Sequence, residues 1–300
     1  MTRVPSRWLA PVLLAAWTGS ASAYKCTEVP AGGWTLWWAP REVTVLQHVR
    51  CSSDLADRAA CHAAITRSMA SWTDVACTDF TFIDGGDTED ERAGYDWRHP
   101  EANRNTIVFR EGDPADPWDT WPHQAGALAI TTVTFNSRSG RILDADIEVN
   151  AVPRTGGRRY TWAICPDDGS GCGGANDVEN TITHELGHVL GLDHPAVPDA
   201  TMYASAQPGE TKKRTLDTDD ENGVCAIYPP GQAATPCVPA TGGGVTPHIR
   251  ALRSCDDTSQ SPCEQRTLFG VRMGCAASGG GLPWAAALAL LLLRWARRGR

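Results

Sequence analysis

Thr183-His184-Glu185-Leu186-Gly187-His188-Val189-Leu190-Gly191-Leu192-Asp193-His194 is the stretch whose reading decides the fold. His184 and His188 stand four apart, so on a helix both imidazoles leave one face and can grip one cation. Glu185 follows the first histidine and leans over the same site, within reach of a water on that cation. Gly191 comes three residues after His188. Glycine takes the left-handed conformation that stops a helix, and the chain can then bend back and deliver His194 as a third ligand. Three neutral imidazoles around Zn²⁺ leave one coordination position open, which is the arrangement of a catalytic site rather than a structural one. The bland alternative is a core helix with buried, hydrogen-bonded histidines. Five fixed positions in eleven residues set it aside.

The pattern HExxHxxGxxH resembles the metzincin metalloproteases. That family has a methionine turn beneath its zinc, and Ala200-Thr201-Met202-Tyr203 stands where such a turn belongs. The resemblance implies His184, His188 and His194 as zinc ligands and Glu185 as the base that takes a proton from the zinc-held water. It also implies Met202 as an apolar floor, Gly191 as the turn, and Tyr203 with its neighbours as a wall of the pocket beside the cut. Two segments narrow the likeness to the matrixin branch. Ile142-Leu143-Asp144-Ala145-Asp146-Ile147-Glu148-Val149-Asn150 resembles the DADI-x-x-N strand that precedes the zinc helix, and Thr215 to Pro229 resembles the closing L-x-x-D-D-x-x-G-x-x-x-x-Y-P segment. Tyr203 directly follows the methionine, whereas branches with a tyrosine zinc ligand place it one residue later, at Ala204 here. Pro195 points toward serralysins, but no repeated glycine-aspartate calcium motifs follow.

The implied fold is α+β, a zincin-like catalytic domain with a twisted, mixed five-stranded sheet and three main helices. The implied activity is zinc-dependent endopeptidase cleavage of extracellular proteins, such as those of an extracellular matrix. Ala127, Leu128, Ala129 and Ile130 would pair with the extended substrate. Two other classes compete: a surface adhesin or binding module, and a hydrolase of a non-protein amide such as one in the cell wall. An intact Glu185 speaks against the first, because binding alone needs no base.

Read outward from the motif, the chain falls into regular elements. Gly33 to His48 is a tryptophan-rich, β-branched strand region. Ser53 or Asp54 can cap a helix to about Trp72, with Leu55, Ala59, Ile65, Met69 and Trp72 near helical spacing. Cys77 to Ile83 alternates as a strand with Phe80 and Phe82 inward. Residues 84–105 read as an acidic surface loop. Strands follow at Thr106 to Phe109, Ala127 to Phe135 and Arg141 to Asn150. Asn176 or Asp177 caps the zinc helix, from about Val178 to Leu190. Thr215 to Pro229 is the final helix, with acids in its first turn where the helix dipole favours them. Asp144 or Asp146 is a candidate Ca²⁺ ligand, although a solvated strand edge is the readier explanation of these acids. His123 is an ordinary loop histidine, since partners for a second zinc are not evident.

Residues 1–23 read as an export signal: Arg3 and Arg7, an apolar run from Trp8 to Trp17, and Ala21-Ser22-Ala23 before cleavage at Tyr24. Export suits the eleven cysteines, which only an oxidising compartment makes comfortable. Cys165–Cys172 and Cys51–Cys61 are local bridge candidates, and no CxxC pair suggests a zinc ribbon. The stretch before the first strand is too short for a conventional propeptide, and the matrixin cysteine switch is missing; Cys26 is a poor latency ligand. The net charge of −8 gives no basic face for nucleic acid. The catalytic domain is expected at 24–229, a cysteine-containing linker or stalk at 230–274, and a sorting or anchor tail at 275–300. Cys275, an apolar run from Leu282 to Leu293, and the basic end with Arg294, Arg297, Arg298 and Arg300 together resemble the myxobacterial C-terminal sorting tail. That implies processing near Cys275 and attachment to the cell surface or outer membrane, through lipid on the thiol. The run is short for a bilayer span, so membrane contact is expected only through the tail. Release as a secreted protein is the alternative. Matrixin-like catalytic domains need no partner, so a monomer acting on protein or peptide is expected.

Overall fold

Alternation of β-branched and aromatic residues builds the sheet. In β1 (Glu42–His48), Val43 and Val45 are buried while Glu42 and Thr44 face solvent, as a strand with one covered face requires. The computed structural model describes residues 24–29, 34–124, 126–153, 159–168, 170 and 172–237. It also describes three short backbone strands at Leu252–Cys255, Arg266–Leu268 and Val271–Met273. The expected leader at 1–23 and the expected tail from 275, including Cys275, lie outside the described residues.

After β1 come α1 (Arg58–Thr73), β2 (Thr81–Thr88), β3 (Asn105–Arg110), β4 (Ala129–Asn136), β5 (Ile142–Asn150), α2 (Val178–Val189), α3 (Thr218–Ile227) and β6 (Leu252–Cys255). The sheet order is β6-β4-β5-β3-β1-β2. β1 pairs in parallel with β2 and β3, and β3 with β5; β4 alone is antiparallel to β5. This is the expected mixed five-stranded sheet, extended by β6, which pairs in parallel with Val133–Asn136 at the outer end of β4.

α1 buries Cys61, Ala64, Ile65, Ser68, Met69 and Trp72, a stripe at i, i+3, i+4 spacing. α2 is buried all round and packs against α1 and β4. It is the central beam of the fold. Its start is capped by Asp177, whose carboxylate accepts from Asn180 N at 2.8 Å and is forked by Arg214 Nε and Nη2 at 2.8 and 2.7 Å. Its end is held by Trp38 Nε1 donating to Val189 O and Tyr228 Oη donating to Leu190 O, each at 2.8 Å. Among the described residues four disulfides tie the frame: Cys26–Cys237, Cys51–Cys61, Cys77–Cys225 and Cys165–Cys172. Bonding to Cys237 removes Cys26 as a thiolate ligand.

The element bounds differ from the sequence reading where no side-chain pattern marks them. The first strand begins at Glu42, because Thr35 and Trp37 make only isolated bridges and Pro40 stands between. α1 begins after Asp57, whose carboxylate accepts from Ala60 N at 3.1 Å. Asp54 is instead turned to Trp162 N and Arg159. β2 runs on to Thr88 through solvent-facing acids and glycines, since an edge strand pairs by backbone alone.

Candidate active site

Helix spacing, a glycine turn and a buried loop bring three imidazoles to one point. His184 Nε2 lies 3.1 Å and His188 Nε2 3.0 Å from His194 Nε2, and all three rings are buried. Nitrogens about 2.0–2.1 Å from one tetrahedral zinc would stand roughly 3.3 Å apart, so this cluster fits a single ion. The second ring nitrogens agree. His184 Nδ1–H donates to Thr201 O at 2.6 Å and His188 Nδ1–H to Leu192 O at 2.8 Å. That fixes the tautomer with its Nε2 lone pair turned inward. His194 is brought round by Gly191, whose φ of 99° and 2.4 Å approach of a Cβ to Leu36 O exclude other residues. Its backbone N–H then donates to Asp193 Oδ1 at 2.7 Å, while Lys25 pairs with Oδ2 at 2.7 Å.

Glu185 is buried on the same helix. Its Oε2 accepts from Thr131 Oγ1 of β4 at 2.7 Å, so the sheet holds the carboxylate. Met202 packs against the same helix. A Cβ built on Gly187 would fall 2.1 Å from its Sδ, so glycine there admits the methionine against the helix backbone. The turn itself hangs on α3: Asp220 accepts from Thr201 N at 2.7 Å, Met202 N at 3.0 Å and Asp217 N at 2.9 Å. Burial raises the pKa of this carboxyl, against the pull of those N–H groups.

Beside His184 and Glu185 opens a cavity of about 270 Å³. Ala127, Leu128 and Ala129 line one side, and Ala204, Ser205, Ala206 and Pro208 line the other. Ile130 lies buried inside β4, away from the cavity. Tyr203 precedes the far wall, and its carbonyl accepts from Lys213 Nζ. Lys213 is buried on the cavity's lining, and burial lowers its pKa to about 8.

Sequence reasoning missed Thr131, Asp220 and Lys213 as site residues. Thr131 carried one weak signal, an inward place in an alternating strand; Asp220 stands in the L-x-x-D-D segment, which does not say what it holds, and Lys213 carried none. His123 Nε2 pairs with Glu148 Oε2 at 2.7 Å, and Arg110 Nε donates to Glu148 Oε1 at 2.8 Å. This ion-pair network occupies His123 without a metal. Burial raises the Glu148 pKa, but His123 and Arg110 outweigh it and leave the value lowered. Asp146 accepts from Gly94 N at 2.5 Å and Thr106 N at 3.0 Å. Among the described residues the trihistidine cluster is the single group of three or more metal-ligating side chains, so the Ca²⁺ expectation gains no cluster to rest on.

A trihistidine point with a carboxylate over it, on a helix beneath a mixed sheet and above a methionine turn, defines the metzincin class. A family model described as matrixin, of the M10 peptidases, matches residues 37–229, and the chain belongs to that family. Among curated proteins it is similar to metalloendoproteinase 4-MMP of Arabidopsis thaliana, 36% identical over 125 residues, covering 41% of this chain and 30% of that one. Metalloendoproteinase 1-MMP of the same plant is 31% identical over 167 residues, covering 55% of this chain and 36% of that one. Matrix metalloproteinase-9 of Canis lupus familiaris is 37% identical over 73 residues, covering 24% and 9%. The chain spans about a third of the two plant relatives' length.

Proposed function

We propose that the chain is an exported, zinc-dependent endopeptidase. The observation that carries this is the convergence of three Nε2 atoms beside a sheet-anchored Glu185, on the wall of an open cavity. His184, His188 and His194 would hold the zinc. Zinc bound there lowers the pKa of a water toward neutrality and polarises the scissile carbonyl. Glu185 takes the proton at its carboxylate and hands it to the departing nitrogen. Thr131 holds Oε2, so the base stays aimed through both transfers. An extended peptide adds to the edge of β4 by main-chain hydrogen bonds. β6 pairs only with Val133–Asn136, so the half of the edge nearer the cavity lies outside that pairing. The edge and the cavity suit protein and peptide substrates. Leader and disulfides support export. Attachment through Cys275 rests on the tail sequence. Among the described residues no helix is long and apolar enough to cross a membrane.

The test compares the oxidatively folded protein with Glu185→Ala for zinc content and for cleavage of casein and a broad peptide library, with and without chelator. Both should hold one zinc, and the variant should cut about 10²–10⁴-fold more slowly. Zinc in both with no cleavage by either would overturn the proposal.

A further inference from the structure

The cavity beside Glu185 has a place in the reaction set by chemistry. In the proposed mechanism Glu185 delivers its proton to the leaving nitrogen, which brings the residue bearing that nitrogen, the first after the cut, next to the space Glu185 lines. That space is not a plain apolar slot. Lys213, Asn176, Asn180, Thr181 and Ser205 all line it, interleaved with alanines and Pro208.

Lys213 is the feature the proposed mechanism does not use. Its backbone N–H donates to Asn180 Oδ1 at 2.8 Å, which pins it to the first turn of α2. Its ammonium carries three donors. Tyr203 O accepts one. His184 Nδ1 lies 3.4 Å away, but that atom is itself an N–H donor toward Thr201 O. Among the described residues, no carboxylate stands within ion-pair distance of Nζ. Glu210, Glu185 and Asp220 lie nearby but outside ion-pair distance. A buried ammonium with donors to spare, on the lining of a side-chain-sized cavity, is matched by an acceptor that arrives with the substrate.

We propose that Lys213 selects substrates with an acidic residue, glutamate or aspartate, immediately after the scissile bond. This rests on the endopeptidase reading. A carboxylate entering the cavity accepts from Nζ, and Asn180 and Thr181 offer further polar contact. Leucine in the same place would leave the ammonium's donors buried and unmet. A site built to hydrogen-bond one group discriminates strongly against a ligand that lacks it.

Peptides identical except for Glu, Gln or Leu after the cut would be assayed with wild type, Lys213→Met and Lys213→Gln. Binding of the same peptides to Glu185→Ala and to its Lys213→Met double variant would be read by calorimetry. Zinc content and thermal melting would check that each variant folds; Gln keeps a donor for Tyr203 O if Met does not fold. Wild type should show a kcat/KM ratio of Glu over Leu of at least about 10, and loss of the ammonium should lower that ratio at least about 10-fold. A wild-type preference for Leu overturns the proposal. So does an equal loss on both peptides, which would mean that Lys213 only props the Tyr203 carbonyl. If no peptide is cut, the endopeptidase reading fails, and the binding arm still decides the acid preference.

Discussion

Gly187 is where the zinc helix and the methionine turn come closest, and Gly187→Ala puts a number on that contact. The new Cβ would stand 2.1 Å from Met202 Sδ, 2.9 Å from Trp72 Cζ2 and 3.0 Å from Met202 Cε. All three distances lie well inside van der Waals contact. Trp72 cannot retreat easily, because it is fully buried and its Nε1 donates to Thr183 O at 2.8 Å. Met202 is the flexible partner, yet its backbone is fixed by Asp220. Overpacking of this kind costs about 1–3 kcal/mol. Alanine in a helix interior recovers about 1 kcal/mol relative to glycine. The net loss is then about 0–2 kcal/mol, or up to about 8 °C in Tm for a domain of this size. The more telling readout is the metal, because Gly187 precedes His188 and a shifted Met202 would disturb the packing beside that imidazole. Gly187→Ala should therefore weaken zinc affinity measured by chelator competition, and Met202→Ala added to it should restore Tm toward the value of Met202→Ala alone. A Gly187→Ala protein that melts above wild type with unchanged zinc affinity would refute the close-contact reasoning.

Two other perturbations follow from the same geometry. Thr131→Val removes the hydroxyl that Glu185 accepts from. A hydrogen bond to a charged group is worth about 1.5–3 kcal/mol, so kcat should fall about 10–100-fold with zinc content unchanged; full activity would show that Glu185 needs no anchor. Asp146 gives a pH dependence. Burial, with Asp144 beside it, raises its pKa well above the ordinary carboxylate range, so the folded state binds the proton more tightly than the unfolded chain. Its stabilising contribution is complete below the unfolded pKa of about 3.9 and is lost as pH rises through the folded value. Asp146→Asn should flatten that loss, read as the difference between the two proteins' denaturation midpoints across pH; parallel curves would refute the assignment.

What the sequence determined by itself is what depends on short separations along the chain. The i and i+4 histidines, the glycine turn, the Asp177 cap and the acid-rich start of α3 all lie within one or two helical turns, where spacing alone sets direction. Together with the 142–150 and 215–229 segments they were enough for the family and the sheet count. Cys51–Cys61 and Cys165–Cys172 were legible for the same reason, being 10 and 7 residues apart. Cys26–Cys237 and Cys77–Cys225 span 211 and 148 residues, and no local pattern joins such ends. Only the tertiary structure set Thr131 against Glu185, Asp220 beneath the methionine turn and Lys213 on the cavity. Each is a common polar residue whose partner lies 18 to 54 residues away. Its role comes from burial beside that partner, and burial is decided by how the helices and sheet close around α2.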